Sequence, residues 1–402
     1  MANNNKHTGP NVPALRFPEF SGEWIESKLG DIADFSKGAG ISKDQRSEEG
    51  NPCILYGELY TRYKSEVITN VFSKTALPDS ELVKSKANDI IIPASGETAE
   101  DIATARCVPF DNILLGGDLN IIRLHEQDGK FFSYQLNGVR KYDIATVAQG
   151  VSVVHLHAGD LKGITVKYPS HIAEQEKISQ ILGLIDDRIA TQSKIIEDKE
   201  TLYKAIIDKH FKEIRKNESI QEVYLSNVFK ERVEYSSNDG VFPHASLTKE
   251  GVNIKTDRYN RDFLVKDTDK QYKVTRINDI CYNPANLKFG VITRNKVGTL
   301  IFSPIYVTFE VRNGYDPAYI ELMVTNSDFV NKMLRFQEGT VYERMAVSSE
   351  DFLSESCKIP DLEIQKEFSA YVSIIEQSIQ VEKKYLESIC RIKNYILEAM
   401  FI

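Results

Sequence analysis

The same plan is written twice along this chain, about 190 residues apart, and that repeat limits the possible folds more than any other feature. Ala87-Asn88-Asp89-Ile90-Ile91-Ile92-Pro93-Ala94 returns as Ile277-Asn278-Asp279-Ile280-Cys281-Tyr282-Asn283-Pro284-Ala285, with Asp89 and Asp279 separated by 190. Gln149-Gly150 matches Glu338-Gly339 at 189, and Tyr56-Gly57-Glu58-Leu59 matches His244-Ala245-Ser246-Leu247 at 188. Pro169, then Glu174-Gln175-Glu176-Lys177-Ile178, matches Pro360, then Ile364-Gln365-Lys366-Glu367-Phe368. Phe211 and Phe401 close the two copies. Identity is low, but landmarks keep both order and spacing.

Each copy has two parts. The first holds short apolar runs bounded by Gly, Asp or Pro, such as Asp89–Pro93, Leu119–Leu124 and Gly163–Tyr168, which read as strands. The second reads as one long helix. From His171 to Lys216 there is no Pro and a single Gly. Ile178, Leu182, Ile185, Ile189, Ile196, Leu202 and Ile206 recur there at three- and four-residue steps, with polar gaps. Asp361 to Met400 lacks both Pro and Gly and carries Ile364, Phe368, Tyr371, Ile375, Ile379, Leu386, Ile389, Ile392 and Ile396. Such helices make rods of roughly 60 Å. Either each is a core helix of its own domain, or the two pair. The repeat favours pairing, since each presents an equivalent stripe.

Composition narrows the class. With 402 residues the chain holds two or three domains. Its 42% hydrophobic content excludes wholesale disorder. No run approaches the ~18 apolar residues of a membrane span, and Met1–Pro10 lacks the apolar stretch of a secretion signal. The five cysteines, at 53, 107, 281, 357 and 390, are never closer than 33 residues, so neither a disulfide framework nor a zinc knuckle is indicated. This reads as a reducing, cytoplasmic protein.

Catalytic chemistry is hard to find. There is no Walker A loop, and no G-x-G-x-x-G follows a strand. Asn283-Pro284-Ala285-Asn286 lacks the second Pro and the aromatic of the N-P-P-Y loop of adenine methyltransferases, and reads as a turn. His155-x-His157 near Asp160 is too few ligands for a metal site. No Ser-His-Asp or Cys-His set can be argued.

Binding chemistry is present. The overall charge of −8 argues against indiscriminate attraction to polyanions. Within the second copy, however, Lys249–Lys296 carries eleven basic and six acidic residues. Its candidates for DNA contact are Lys255, Arg258, Tyr259, Asn260, Arg261, Asn286, Lys288 and Arg294; Tyr272, Lys273, Arg276 and Asn283 interleave with them. In the first copy the candidates are Lys37, Lys43, Tyr60, Arg62 and Lys64, and Gly38-Ala39-Gly40 reads as a flexible loop able to enter a groove. Lys and Arg suit phosphates, and Arg, Asn and Gln also contact base edges. For any one of these residues an ordinary solvated surface is the competing explanation.

These landmarks together resemble the DNA-specificity subunit of type I restriction–modification enzymes. The opening Val12-Pro13-Ala14-Leu15-Arg16-Phe17-Pro18-Glu19-Phe20-Ser21-Gly22-Glu23-Trp24, then Lys28-Leu29-Gly30-Asp31, is similar to how many such subunits begin. The segment of Pro, then Glu-Gln-Glu-Lys-Ile, then Leu182, Ile185 and Asp186 carries the likeness further. The second copy departs from it, with Ile364-Gln365-Lys366-Glu367, with Glu376 in place of Asp186, and with no opening motif before about Gln221.

The expectation is an α+β fold of two pseudo-repeated globular target-recognition domains, each followed by a long helix, the two helices pairing as an antiparallel coiled coil. The expected divisions are a tail 1–22, domains 23–170 and 217–360, and spacer helices 171–216 and 361–402. Helix pairing is expected through Ile178, Leu182, Ile185, Ile189, Ile196, Phe368, Ile375, Ile379, Ile389 and Ile396. The resemblance implies a non-catalytic subunit that reads a bipartite double-stranded DNA site. It implies two methyltransferase (modification) subunits and restriction/translocase subunits as partners, with S-adenosylmethionine, ATP and Mg on those partners, no metal on this chain and no membrane. The competing reading is a helical scaffold for protein assembly without sequence-specific DNA binding.

Overall fold

The structure is a computed structural model, which describes residues 11–78, 80, 82–150, 153–236, 241–255, 271–336 and 346–402. The chain divides into two compact units, Met1–Lys194 with Lys384–Ile402, and Ile195–Lys383. Both divisions fall inside the long helices, Ile172–Lys216 and Leu362–Met400, so each unit owns a stretch of each helix.

The first unit is built on four strands, β1 (Ala33–Lys37), β2 (Asp89–Pro93), β3 (Arg106–Val108) and β4 (Leu119–Leu124), in the antiparallel order β1-β4-β2-β3. Every residue of β2 is buried, which is why its sequence after Asp89 is a continuous apolar run and not an alternation. Helix α1 (Gly129–Asn137) starts where the Asp128 carboxylate accepts the Lys130 and Phe131 N–H groups, and it packs on β2 and β3.

The second unit repeats this order. Strands β5 (Phe229–Glu231), β6 (Ile280–Tyr282), β7 (Ile292–Arg294) and β8 (Val307–Val311) form the antiparallel sheet β5-β8-β6-β7. Helix α2 (Pro317–Thr325) starts at Asp316, whose carboxylate accepts the Tyr319 N–H at 3.0 Å. Its Pro317 occupies the first turn, where no N–H is needed.

The repeated landmarks do the same bonding work in both units. Gln175 accepts the Asp128 N–H at 3.0 Å and donates to the Pro169 carbonyl at 3.0 Å. Gln365 accepts the Asp316 N–H at 2.9 Å and donates to the Pro360 carbonyl at 2.7 Å. Each glutamine thus locks the start of its long helix to the cap of its short one. Asn88 and Asn278 both take positive φ (80° and 70°), a conformation asparagine tolerates better than most residues. They present the buried Asp89 and Asp279, each of which accepts a backbone N–H from three residues earlier.

Within each unit the two long helices run antiparallel. In the second, Lys199 meets Glu382 at 2.8 Å, Tyr203 donates to Glu376 at 2.5 Å, and His210 stacks on Phe368 at 3.5 Å. In the first, Lys393 meets Asp186 at 2.6 Å and Arg188 reaches the Tyr385 hydroxyl at 3.2 Å. Ile196, Ile379 and Ile389 are buried, and Ile185, Ile189 and Ile375 half-buried.

Some of the expected pairing positions serve a domain core as well. Ile178 and Leu182 lie in the first unit's own core, with Trp24, Phe131, Met400 and Phe401, and Ile396 packs against the same core. Leu202, Ile364, Tyr371 and Ile392, which share the helical periodicity but lie outside the expected pairing set, are exposed. The helix ends therefore serve domain cores as well as each other: Phe401 closes the first core and Phe211 the second.

Candidate nucleic-acid interface

The opening motif and the helix motif meet at one buried carboxylate. Glu174 is 0% exposed. It accepts from Arg16 through Nε at 2.7 Å and Nη2 at 2.8 Å, and from the Trp24 indole at 3.4 Å. These contacts hold Arg16 above its ordinary pKa, with the Glu174 hydrogen bonds outweighing burial. In the second unit the matching position is Ile364, which is 44% exposed. A segment without Arg16 and Trp24 has no use for a buried glutamate there.

Each central Asp is clamped by an arginine that the repeat alone did not reveal. Arg123 on β4 grips Asp89 at 2.7 and 2.6 Å. Arg232, just past β5, grips Asp279 at 2.7 and 3.0 Å. The same pairing is reached from different strands. Burial pushes the Asp279 carboxyl up despite the Arg232 contact.

In the first unit Lys37 and Lys43 are exposed, Lys43 opening a one-turn helix, Lys43–Gln45. The stretch between them is pinned and not a free loop. Gly38 donates to Leu119, Ala39 to Leu115, and a Cβ on Gly38 would lie 2.0 Å from the Gly116 carbonyl oxygen. Tyr60 is half-buried on the short helix Glu58–Thr61, Arg62 follows it, and exposed Lys64 reaches the Thr61 carbonyl at 3.4 Å.

In the second unit Lys255 is exposed. Asn286 and Lys288 are exposed on the turn Pro284–Phe289, with the Lys288 ammonium 5.1 Å from the Phe289 ring centre. The Asn283 side chain caps this turn through the Ala285 N–H. Arg258, Tyr259, Asn260 and Arg261 lie outside the described residues. Arg294 is half-buried, and its guanidinium donates to Glu321 at 3.0 Å and to Asn278 at 2.8 Å. Lys273 is likewise paired with Glu231, and Arg276 with Glu234. Charge counted along the segment therefore overstates the charge facing outward. Among the described residues no His, Cys, Asp and Glu group suits a metal ion, and no helix is long and apolar enough to cross a membrane.

Comparison with known proteins adds the following. The family model for the type I restriction modification DNA specificity domain matches residues 21–199. A Mycoplasma genitalium protein named as a type I specificity subunit is 21% identical over 70% of this chain and 73% of its own length. The specificity subunit of the type I restriction enzyme MjaVIII of Methanocaldococcus jannaschii is 22% identical over 96% of this chain and 93% of its own. The crystal structure of a Mycoplasma genitalium type I S subunit overlays with TM-score 0.61 at 17% identity, covering 97% of this chain and 99% of that one. A chain from a structural study of type I complex assembly and conformational transition overlays at 0.57 with 12% identity, covering 93% and 96%. The two structures share this fold.

Proposed function

We propose that this chain is a non-catalytic DNA specificity subunit of a type I restriction–modification enzyme, and that each of its two units reads one part of a bipartite double-stranded site; the match to the specificity-domain family and the likeness to named type I specificity subunits support this. The observation that carries this reading is the repeat of one frame under different surfaces. Sheet order and the glutamine lock are the same in both units, while the exposed candidates differ. At the 188-residue shift, for example, Arg62 meets Glu250. One scaffold then displays two different sets of contacts.

The chain assembles with other subunits of a restriction–modification complex. We assign it two modification subunits and the restriction/translocase subunits as partners. S-adenosylmethionine, ATP and Mg belong to those partners on this reading, and this chain works by placing them.

The test is titration of the full-length chain against labelled duplexes over a range of salt. Phosphate contacts make the logarithm of affinity fall linearly with the logarithm of salt, and base contacts add preference for one sequence. A helical protein scaffold shows neither. Incubation of the chain alone with S-adenosylmethionine, Mg, ATP and DNA is expected to give no turnover.

A further inference from the structure

We propose that Arg62 is a preset guanine reader, aimed by the buried Glu58 and supported by the exposed ring of Phe72. The inference rests on reading the first unit as a DNA-binding unit. Arg62 Nη1 donates to Glu58 Oε1 at 3.0 Å and to Ser73 Oγ at 3.3 Å. The Glu58 side chain is only 6% exposed. Its other oxygen accepts the Leu55 N–H at 3.2 Å, and the Ser73 hydroxyl donates to the first. The carboxylate is held from several directions and cannot swing away. The guanidinium lies 5.0 Å from the Phe72 ring centre, and Tyr63 backs that ring at 5.3 Å.

The unused part of the guanidinium is the informative one. Arg62 Nε and Nη2 have no hydrogen-bond partner among the described residues, and the side chain is 44% exposed. Arg16, Arg123, Arg232 and Arg276 instead commit this Nε–Nη2 edge to a single carboxylate. Arg62 is held by the other nitrogen, so its two-pronged edge is left without a partner on a half-exposed side chain. Fixing a long side chain this firmly is costly for an exposed ion pair alone. Phe72, 51% exposed, gives the guanidinium a flat support where a soluble surface gains nothing from an open phenyl ring.

A fixed, planar fork fits two acceptors side by side. Guanine O6 and N7 in the major groove are such a pair, and a phosphate is another. The Arg fork matches both, but a phosphate recurs at every nucleotide and can also be met by the point charge of the neighbouring Lys64, whereas only a base edge makes the orientation of one fork selective. The three supports under Arg62 therefore favour the base edge. Glu58 and Phe72 act through Arg62 as positioning residues.

The experiment uses the full-length chain and the duplex it selects from a randomised pool, with each base pair then varied in competition. One guanine position should be preferred over other pairs by roughly 5- to 150-fold. R62K keeps the charge but loses the fork, so the preference at that position should vanish while the others stay. E58Q and F72A should weaken it in part, with thermal unfolding as a check on folding; F72A, which changes only an open ring, stands in if R62K unfolds. Equal weakening of every duplex by R62K would mean a phosphate contact, and unchanged preferences would mean a surface ion pair; either overturns the assignment. A wild-type chain that enriches no sequence overturns the DNA-reading function itself, and this inference with it.

Discussion

Lys393 and Asp186 meet across the helix pair of the first unit, Nζ to Oδ1 at 2.6 Å, and the same ammonium lies 2.6 Å from Glu66. Tyr134 and Ser65 also donate to Asp186, so a loop of the first unit, its short helix and both long helices share one largely buried polar knot. Burial works against the Lys393 charge, but the two carboxylates outweigh it and hold its pKa up. Lys393→Met would leave two buried carboxylates facing each other. Removing one member of such a cluster typically costs about 3–5 kcal/mol. Denaturant unfolding of the variant should show a loss of that order, with part recovered when Glu66→Gln is added.

A second prediction concerns acid. Burial raises the pKa of the Glu355 carboxyl, but Lys332, Arg335 and the Ser356 N–H more than offset this and leave it lowered. A carboxylate with a lowered folded-state pKa adds stability above its unfolded value and loses it as pH falls through the folded one. The wild-type chain should therefore lose stability below about pH 4.5 more steeply than Glu355→Gln. Parallel stability profiles for the two would contradict the pairing.

The third prediction tests the shared helix ends. A fragment ending near Lys216 keeps Trp24 and Phe131 but lacks Met400 and Phe401, which close that core. It retains Phe211 at the matching place in the repeat. Burying a side chain of that size is worth roughly 1.5–3 kcal/mol, so the fragment should self-associate by lending Phe211 to a second copy. Sedimentation should show a dimer that Phe211→Glu disrupts. A well-folded monomer at micromolar concentration would contradict it.

The fourth prediction separates two kinds of arginine. Arg258→Ala or Arg261→Ala should weaken binding by about 1–3 kcal/mol at one half-site only, if the residue reads a base. Arg294→Ala should instead lower stability, because it leaves Glu321 with Lys296 as its remaining ion-pair partner. Binding isotherms on half-site variants and melting curves distinguish the two.

The repeat was legible because its landmarks do identical bonding work. Gln175 and Gln365 satisfy the same two backbone groups, and Asp89 and Asp279 close the same turn. Their partners were not legible. Arg123 and Arg232 reach equivalent aspartates from different strands, so no spacing links them. The outward charge of the candidate interface was not legible in the same way, because a count of charges does not say which are already paired. Glu321 neutralises Arg294 from 27 residues away, and Glu174 takes Arg16 from 158. Long helices were easy to place from missing Pro and Gly. Their faces were harder, since Ile178 and Leu182 carry the same periodicity whether they face a partner helix or their own domain.

The most direct measurement of the central claim is selection of DNA by the full-length chain from a pool of random duplexes, followed by sequencing of the retained molecules. Two blocks of defined sequence separated by a stretch of fixed length and no preference are expected, with substitutions in one unit altering only one block. Retention without sequence enrichment, or a single uninterrupted block altered by substitutions in both units, would contradict a chain whose two repeated units each read half of a divided site.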